Sequence, residues 1–201
     1  MTTLWTAKLD RELTEAEEQQ LMLLLPAERR ERLLKMKHTE KRREPLCAYG
    51  LLCIAVAEQY PELEKLPEME YGSLGKPIFA AYPEIHFNLS HTDGAVLVGL
   101  SDWPIGVDIE KIRTVSDTLK NRLGGDTPEA FFRGWTRREA RAKRTGAPVT
   151  LRKESPLEPE EQIIYPTLFD GFTACVCGFD VLKAEIHEYD MDALLVRLAE
   201  V

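Results

Sequence analysis

Between Leu46 and Ala57 the chain runs through 12 positions, Leu-Cys-Ala-Tyr-Gly-Leu-Leu-Cys-Ile-Ala-Val-Ala, with no charged or amide side chain. A helix that is apolar around its whole circumference has to be covered on every side. At 12 residues the run falls well short of the roughly 20 that span a bilayer. It therefore predicts a buried helix, completed at Tyr60, with the rest of the chain supplying the layers that wrap it. Pro45 fits best in the first turn of that helix, where its missing N–H costs nothing, or else as a kink. The segment before it, Ala27 to Glu44, reads as a second, basic helix. Thr14 with Glu17 three positions on is a capping-box pattern for a helix over residues 14–24.

After a loop region at 61–84, rich in Pro, Gly and Glu and holding one or two short strands, the pattern changes period. Ile85 to Ser90 alternates like a half-buried strand, and Ala95 to Leu100 is a continuous apolar strand. Ser101-Asp102-Trp103-Pro104 is a turn near the midpoint. Ile105 to Ile109 is a further strand, Val115 to Leu123 a helix, and Glu129 to Thr145 a second basic helix. Residues 146–162, with three prolines and many charges, read as a mobile loop. Ile163 to Leu168, Thr173 to Phe179 and Ala184 to Glu188 read as strands of a final sheet, and Met191 to Leu198 as a terminal helix. The fold class is α+β with two similar-sized halves, 1–103 and 104–201.

With 201 residues, 44% hydrophobic and 30% charged, the chain is globular rather than disordered. Its four cysteines lack C-x-x-C spacing and read as reduced, buried thiols. Met1 to Lys8 lacks the basic start, apolar stretch and cleavage site of a signal peptide, so the expectation is a cytoplasmic protein with no membrane association. The net charge of −8 argues against a protein that coats nucleic acid. Locally, however, residues 29–43 carry eight Lys/Arg against Glu31 and Glu40, and residues 133–144 carry six against Glu139. Two basic segments on a strongly acidic body suit a small polyanion or an acidic protein as ligand, or else two solvated helix faces.

Four segments carry chemistry. Gly75-Lys76-Pro77 is a turn that presents one lysine. Asn88-Leu89-Ser90-His91 ends a strand with a hydroxyl beside an imidazole. Gly106-Val107-Asp108-Ile109-Glu110 puts two carboxylates on one strand face, roughly 7 Å apart along the strand, a pair suited to sharing a hard cation. In Trp135-Thr136-Arg137-Arg138-Glu139-Ala140-Arg141-Ala142-Lys143, residues Trp135, Glu139 and Lys143 fall along one helical stripe. Taken singly, each has an ordinary structural reading: a surface turn, a loop histidine, an exposed strand face and an i,i+4 ion pair.

Their order and spacing resemble the 4′-phosphopantetheinyl transferases, in particular the monomeric type that activates peptide synthetases such as the surfactin enzyme. The resemblance runs from about Leu13 to Leu195 and takes in Pro26 to Arg32 and Asp170 to Cys177. It implies two α+β halves related by a pseudo-twofold axis, with coenzyme A in the cleft between them. The implied reaction moves phosphopantetheine from coenzyme A to a serine of an acyl, aryl or peptidyl carrier protein. By motif position, Arg29, Arg32, Lys76, Ser90 and His91 would hold the coenzyme's phosphates, with Ser90 and His91 at the 3′-phosphate. Asp108, Glu110 and Glu139 would bind Mg²⁺ or Mn²⁺, Glu139 would also act as general base, and Lys143 would steady charge on the diphosphate. Two positions depart from the family pattern. Arg138 stands for the usual lysine, and Glu44-Pro45 stands where relatives carry a basic residue and a small hydroxyl, so that one phosphate contact is either missing or supplied by Arg43. The alternative reading is a weak relative that binds coenzyme A or a carrier domain without efficient transfer.

Overall fold

The computed structural model describes residues 1–72, 74–150 and 155–201. Strand β1 (Thr2–Lys8) leads to helices α1 (Glu15–Leu24) and α2 (Ala27–Leu34), a 3-10 turn at Thr39–Arg42 and the long helix α3 (Arg43–Gln59). The hairpin β2 (Met69–Tyr71) and β3 (Pro77–Phe79) precedes β4 (His86–Thr92), β5 (Ala95–Ser101) and β6 (Gly106–Lys111). Helices α4 (Asp117–Leu123) and α5 (Pro128–Thr145), strands β7 (Gln162–Ile164), β8 (Phe172–Gly178) and β9 (Glu185–Asp190), and helix α6 (Met191–Leu198) follow. The fold is mixed α+β. Among the described residues no helix is long and apolar enough to cross a membrane.

The strands form a four-stranded sheet in the order β4-β5-β1-β9 and a three-stranded sheet in the order β6-β8-β7. Period-two alternation gives the first sheet two apolar faces. Trp5, Val96, Val98 and Leu100 point toward α3, joining Leu46, Leu51, Leu52 and Phe87 in the principal core. Leu4, Ala95 and Leu97 point the other way, against Ile105, Val107 and Val176 of the second sheet. Helix α5 covers the outer face of that second sheet through Ala140, which packs on Cys175 and Cys177. The result is helix, sheet, sheet, helix, and it explains why so little of α3 is polar. Its buried residues run from Glu44 to Val56, with Pro45 in the first turn. The four cysteines are free thiols, and burial pushes those of Cys47, Cys53 and Cys177 up to about 12.

Three expectations change. The basic segment is not one helix from Ala27 to Glu44, because α2 ends at Leu34 and the chain turns back. Arg42 explains the break: its guanidinium donates to the carbonyls of Leu33 (2.9 Å), Leu34 (3.1 Å) and Met36 (3.3 Å), groups a continuing helix would have paired. The third strand of the expected final sheet instead crosses to the first sheet, where β9 pairs in parallel with β1 from Thr3↔Glu185 to Lys8↔Asp190. What draws it there is α6, whose Met191 and Leu194 are fully buried in the principal core. The loop 146–162 is tied down over its later part. Arg141 donates to Ser155 O (2.8 Å), Pro156 O (3.0 Å) and both oxygens of the buried Glu161 (2.9 and 3.0 Å). Residues 151–154 of that loop lie outside the described residues.

Candidate active site

The two sheets meet edge to edge without a continuous backbone ladder. Edge strand β6 turns the N–H groups of alternate residues toward edge strand β4, and side chains of β4 receive them. Val107 N donates to Asn88 Oδ1 (2.9 Å), Ile109 N to Ser90 Oγ (3.3 Å) and Lys111 N to Thr92 Oγ1 (3.3 Å). Asn88, Ser90 and Thr92 are positions i, i+2 and i+4 of one strand, so they share a face. Their polar atoms satisfy donors that would otherwise be orphaned in a buried seam. The same hydroxyls then reach the carboxylates of β6: Ser90 Oγ donates to Asp108 Oδ1 (2.8 Å) and Thr92 Oγ1 to Glu110 Oε2 (3.2 Å).

Asp108 is 4% exposed, so it lies at the bottom of the seam. Burial raises its carboxyl pKa to about 6, against the pull of Lys143 and Ser90. Lys143 Nζ, reaching down from α5, lies 2.7 Å from Asp108 Oδ1 and 3.0 Å from Ser90 Oγ. Asp108 Oδ2 is buried and has no hydrogen-bond partner. Glu139, one helical turn before Lys143 and half-buried, is also raised, first by burial and then by Glu110, with Lys143 opposing. Glu139 in turn pushes Asp108 upward. The three carboxylates expected at a metal are therefore electrostatic neighbours, with Glu110 also paired to Arg113 (3.0 Å). Among the described residues no three His, Cys, Asp or Glu side chains converge closely enough to hold a metal ion. The donor chemistry nevertheless fits a hard divalent cation, since it consists of carboxylate oxygens, one of them orphaned.

Above this seam lies a groove of about 350 Å³ lined by Arg29, Arg32, Lys76 and Lys143. Its other walls include Tyr71, Asn88 and Gly146, and among the described residues no carboxylate lines it. Arg29 is held in place by Tyr71, donating Nε to its hydroxyl at 3.2 Å, with its guanidinium 5.8 Å from the Tyr49 ring centroid. Lys76 bridges the β2–β3 hairpin to the second sheet, because its ammonium donates to Ile105 O (2.8 Å) and Arg144 O (2.9 Å). An ammonium has three donors, so one remains for a ligand. Burial and the nearby Arg144 lower its pKa to about 8. The lysine of the Gly-Lys-Pro turn is thus also a clasp across the groove.

His91 does not share this groove. It stands exposed on the opposite face of β4, beside Glu44 and Arg43. Arg43, read above as a substitute phosphate contact, is spent on its own neighbours: it donates to Glu44 (3.0 and 2.8 Å) and Glu12 (2.6 Å). Thr92 and Tyr71 carry geometry that motif reading passed over. The signal for Thr92 was present in the polar series Asn88, Ser90, Thr92, while nothing local marks Tyr71.

No family model matches the chain. The 4′-phosphopantetheinyl transferase Sfp of Bacillus subtilis (strain 168) is 27% identical over 164 residues, covering 73% of this chain and 71% of that protein. A second Bacillus subtilis protein, 4′-phosphopantetheinyl transferase ffp, is 28% identical over 160 residues with the same coverage. The 4′-phosphopantetheinyl transferase AcpT of Salmonella typhi is 40% identical over 100 residues, 42% of this chain and 52% of that protein. With most of the motif residues gathered at one seam and the groove above it, these matches make the chain similar to the 4′-phosphopantetheinyl transferases, a family of transferase enzymes.

Proposed function

We propose that this protein transfers the 4′-phosphopantetheine group from coenzyme A to a serine of an acyl, aryl or peptidyl carrier protein. The observation that carries the reading is a groove with four cations and, among the described residues, no carboxylate in its lining, joined to the carboxylate site through Lys143, which pairs with Asp108 at 2.7 Å. A diphosphate needs several charge-assisted donors, and Arg29, Arg32 and Lys76 supply them; His91 would meet the ribose 3′-phosphate, whereas Ser90, its hydroxyl engaged with Asp108, Ile109 and Lys143, acts by positioning Asp108. Glu139 takes the proton of the carrier serine, and Lys143 steadies the charge developing on the diphosphate. Asp108, Glu110 and Glu139 would hold Mg²⁺ or Mn²⁺. Such an ion polarises a phosphoryl oxygen and neutralises the diphosphate. The net charge of −8 speaks for a small-molecule and protein ligand rather than nucleic acid.

Two sheets, each backed by a long helix, support a division into halves 1–103 and 104–201 about a pseudo-twofold axis, with β9 and α6 lent back to the first half. Because residues of both halves line the groove, one chain suffices, and we propose a monomer working in the cytoplasm. Intact mass measurement of apo carrier proteins, incubated with this protein, coenzyme A and Mg²⁺, tests the activity. The expected result is one added phosphopantetheine per carrier, abolished by replacing the carrier serine. A carrier left unmodified across acyl, aryl and peptidyl types overturns it.

Lys76 gives a pH prediction. Its ammonium is held only up to about 8, so it is charged below that pH and loses its proton as the pH rises through it. Coenzyme affinity is expected to fall as pH rises from 7 to 9.5, starting about two pH units earlier than for a surface lysine. Lys76→Met should bind about 10-fold more weakly at pH 7 and show a flat profile over that range. Calorimetric titrations across the range check both, and an equally steep profile in the variant would assign the effect to another group.

A further inference from the structure

Two depressions beside the motif strand carry opposite charge. One is the cationic groove, which runs past Asn88 and Leu89. The other, around His91, is a depression of about 430 Å³ with four carboxylates, Glu12, Glu40, Glu44 and Asp93, and two cations, Lys41 and Arg43. Arg43 is already consumed: besides its bonds to Glu44 and Glu12 it has Asp93 at 3.6 Å, and its side chain is 11% exposed. Glu44 is itself buried and also accepts Gly94 N at 3.4 Å, so the backbone as well as Arg43 holds it in place. A phosphomonoester approaching His91 would meet a surplus of negative charge and no unpaired guanidinium.

Coenzyme A carries two separate anionic groups, the diphosphate that reacts and the 3′-phosphate on the ribose. The groove supplies four cations for the first, whereas the described residues lining the depression offer the second Lys41 and His91 against four carboxylates, with Lys143 acting on His91 from outside it. Resting on the coenzyme reading above, we propose that Glu44 and its acidic neighbours remove the usual value of the 3′-phosphate, so that this protein takes 3′-dephospho-coenzyme A as readily as coenzyme A. Glu44 is then a specificity-determining residue. The transferred group and the reacting diphosphate are the same in both donors, and the leaving nucleotide is AMP in place of 3′,5′-ADP.

Calorimetric titration of the intact protein at low salt, with coenzyme A and then with its 3′-dephospho form, tests this. The two affinities should agree within about threefold, whereas a 3′-phosphate paired to a cation would favour coenzyme A by about 10- to 100-fold. Glu44→Gln releases Arg43 from one carboxylate and should raise the preference for coenzyme A about 10-fold, leaving the dephospho form unchanged. Because Glu44 is buried, the surface variant Glu12→Gln/Asp93→Asn repeats the test without disturbing the interior and should shift the preference the same way. Coenzyme A binding more than 10-fold tighter in the unmodified protein, or a ratio that neither variant moves, overturns the inference while the transfer reading stands. Binding of neither compound, together with no transfer to any carrier, overturns the transfer reading itself.

Discussion

Replacing Glu139 by Gln is expected to lower phosphopantetheine transfer by about 10²-fold or more while coenzyme A still binds. The amide keeps the size of the side chain and one oxygen but removes its negative charge and its capacity to take a proton. The phosphate donors Arg29, Arg32 and Lys76 lie in the groove, which Glu139 does not line, so their contacts survive. Instability does not explain the expected loss. Burial and Glu110 already raise the Glu139 pKa, so the folded state disfavours its charged form, and a neutral amide should leave stability unchanged or slightly higher. Binding by calorimetry, melting temperature and transfer rate at saturating Mg²⁺ are the measurements. Near-normal transfer would reject Glu139 as the base, and lost coenzyme binding would make it a binding residue.

The same site shows what a sequence can and cannot disclose. Asp108 and Glu110 were legible as a pair because a strand has period two, and Glu139 with Lys143 because a helix brings i and i+4 together. Ser90 was legible as a polar residue at a strand end, but its use was not. Its hydroxyl serves the joint between two sheets, and that joint exists only once β4 and β6 lie edge to edge across 18 residues of chain. Lys76 was found as a candidate ligand of phosphate, yet two of its donors go to carbonyls 29 and 68 positions away. The strand β9 was found and its partner was not, because pairing is settled by the burial of Met191 and Leu194 rather than by anything within Glu185–Asp190. Local periodicity thus disclosed the elements and the chemistry-bearing side chains, while the long-range contacts that hold those side chains in place were beyond it.

Gly106→Ala is expected to be the most damaging single-methyl change in the chain. Gly106 opens β6 and lies against the backbone of α5, where a Cβ atom would meet Ala140 O at 2.0 Å and Arg144 N at 2.4 Å. Both are main-chain atoms of a helix interior, so no rotamer relieves the clash and α5 has to lift away from the sheet. The contacts that would part are those that build the site. Lys143 on α5 reaches Asp108 on β6 at 2.7 Å, and the two carbonyls clasped by Lys76, Ile105 and Arg144, straddle the same junction. Overpacking of this kind costs about 3 kcal/mol or more, which for a chain of this size lowers the melting temperature by about 6–12 °C. Transfer should be lost even at temperatures where the variant remains folded. Gly134→Ala is the control: it sits in the same helix with nothing within 4 Å of its added Cβ, and alanine there should stabilise by about 0.5–1 kcal/mol. Thermal denaturation of both variants decides the matter. A Gly106→Ala melt within about 2 °C of the parent would mean that α5 does not rest on β6 at this glycine, and that some other contact holds Lys143 over Asp108.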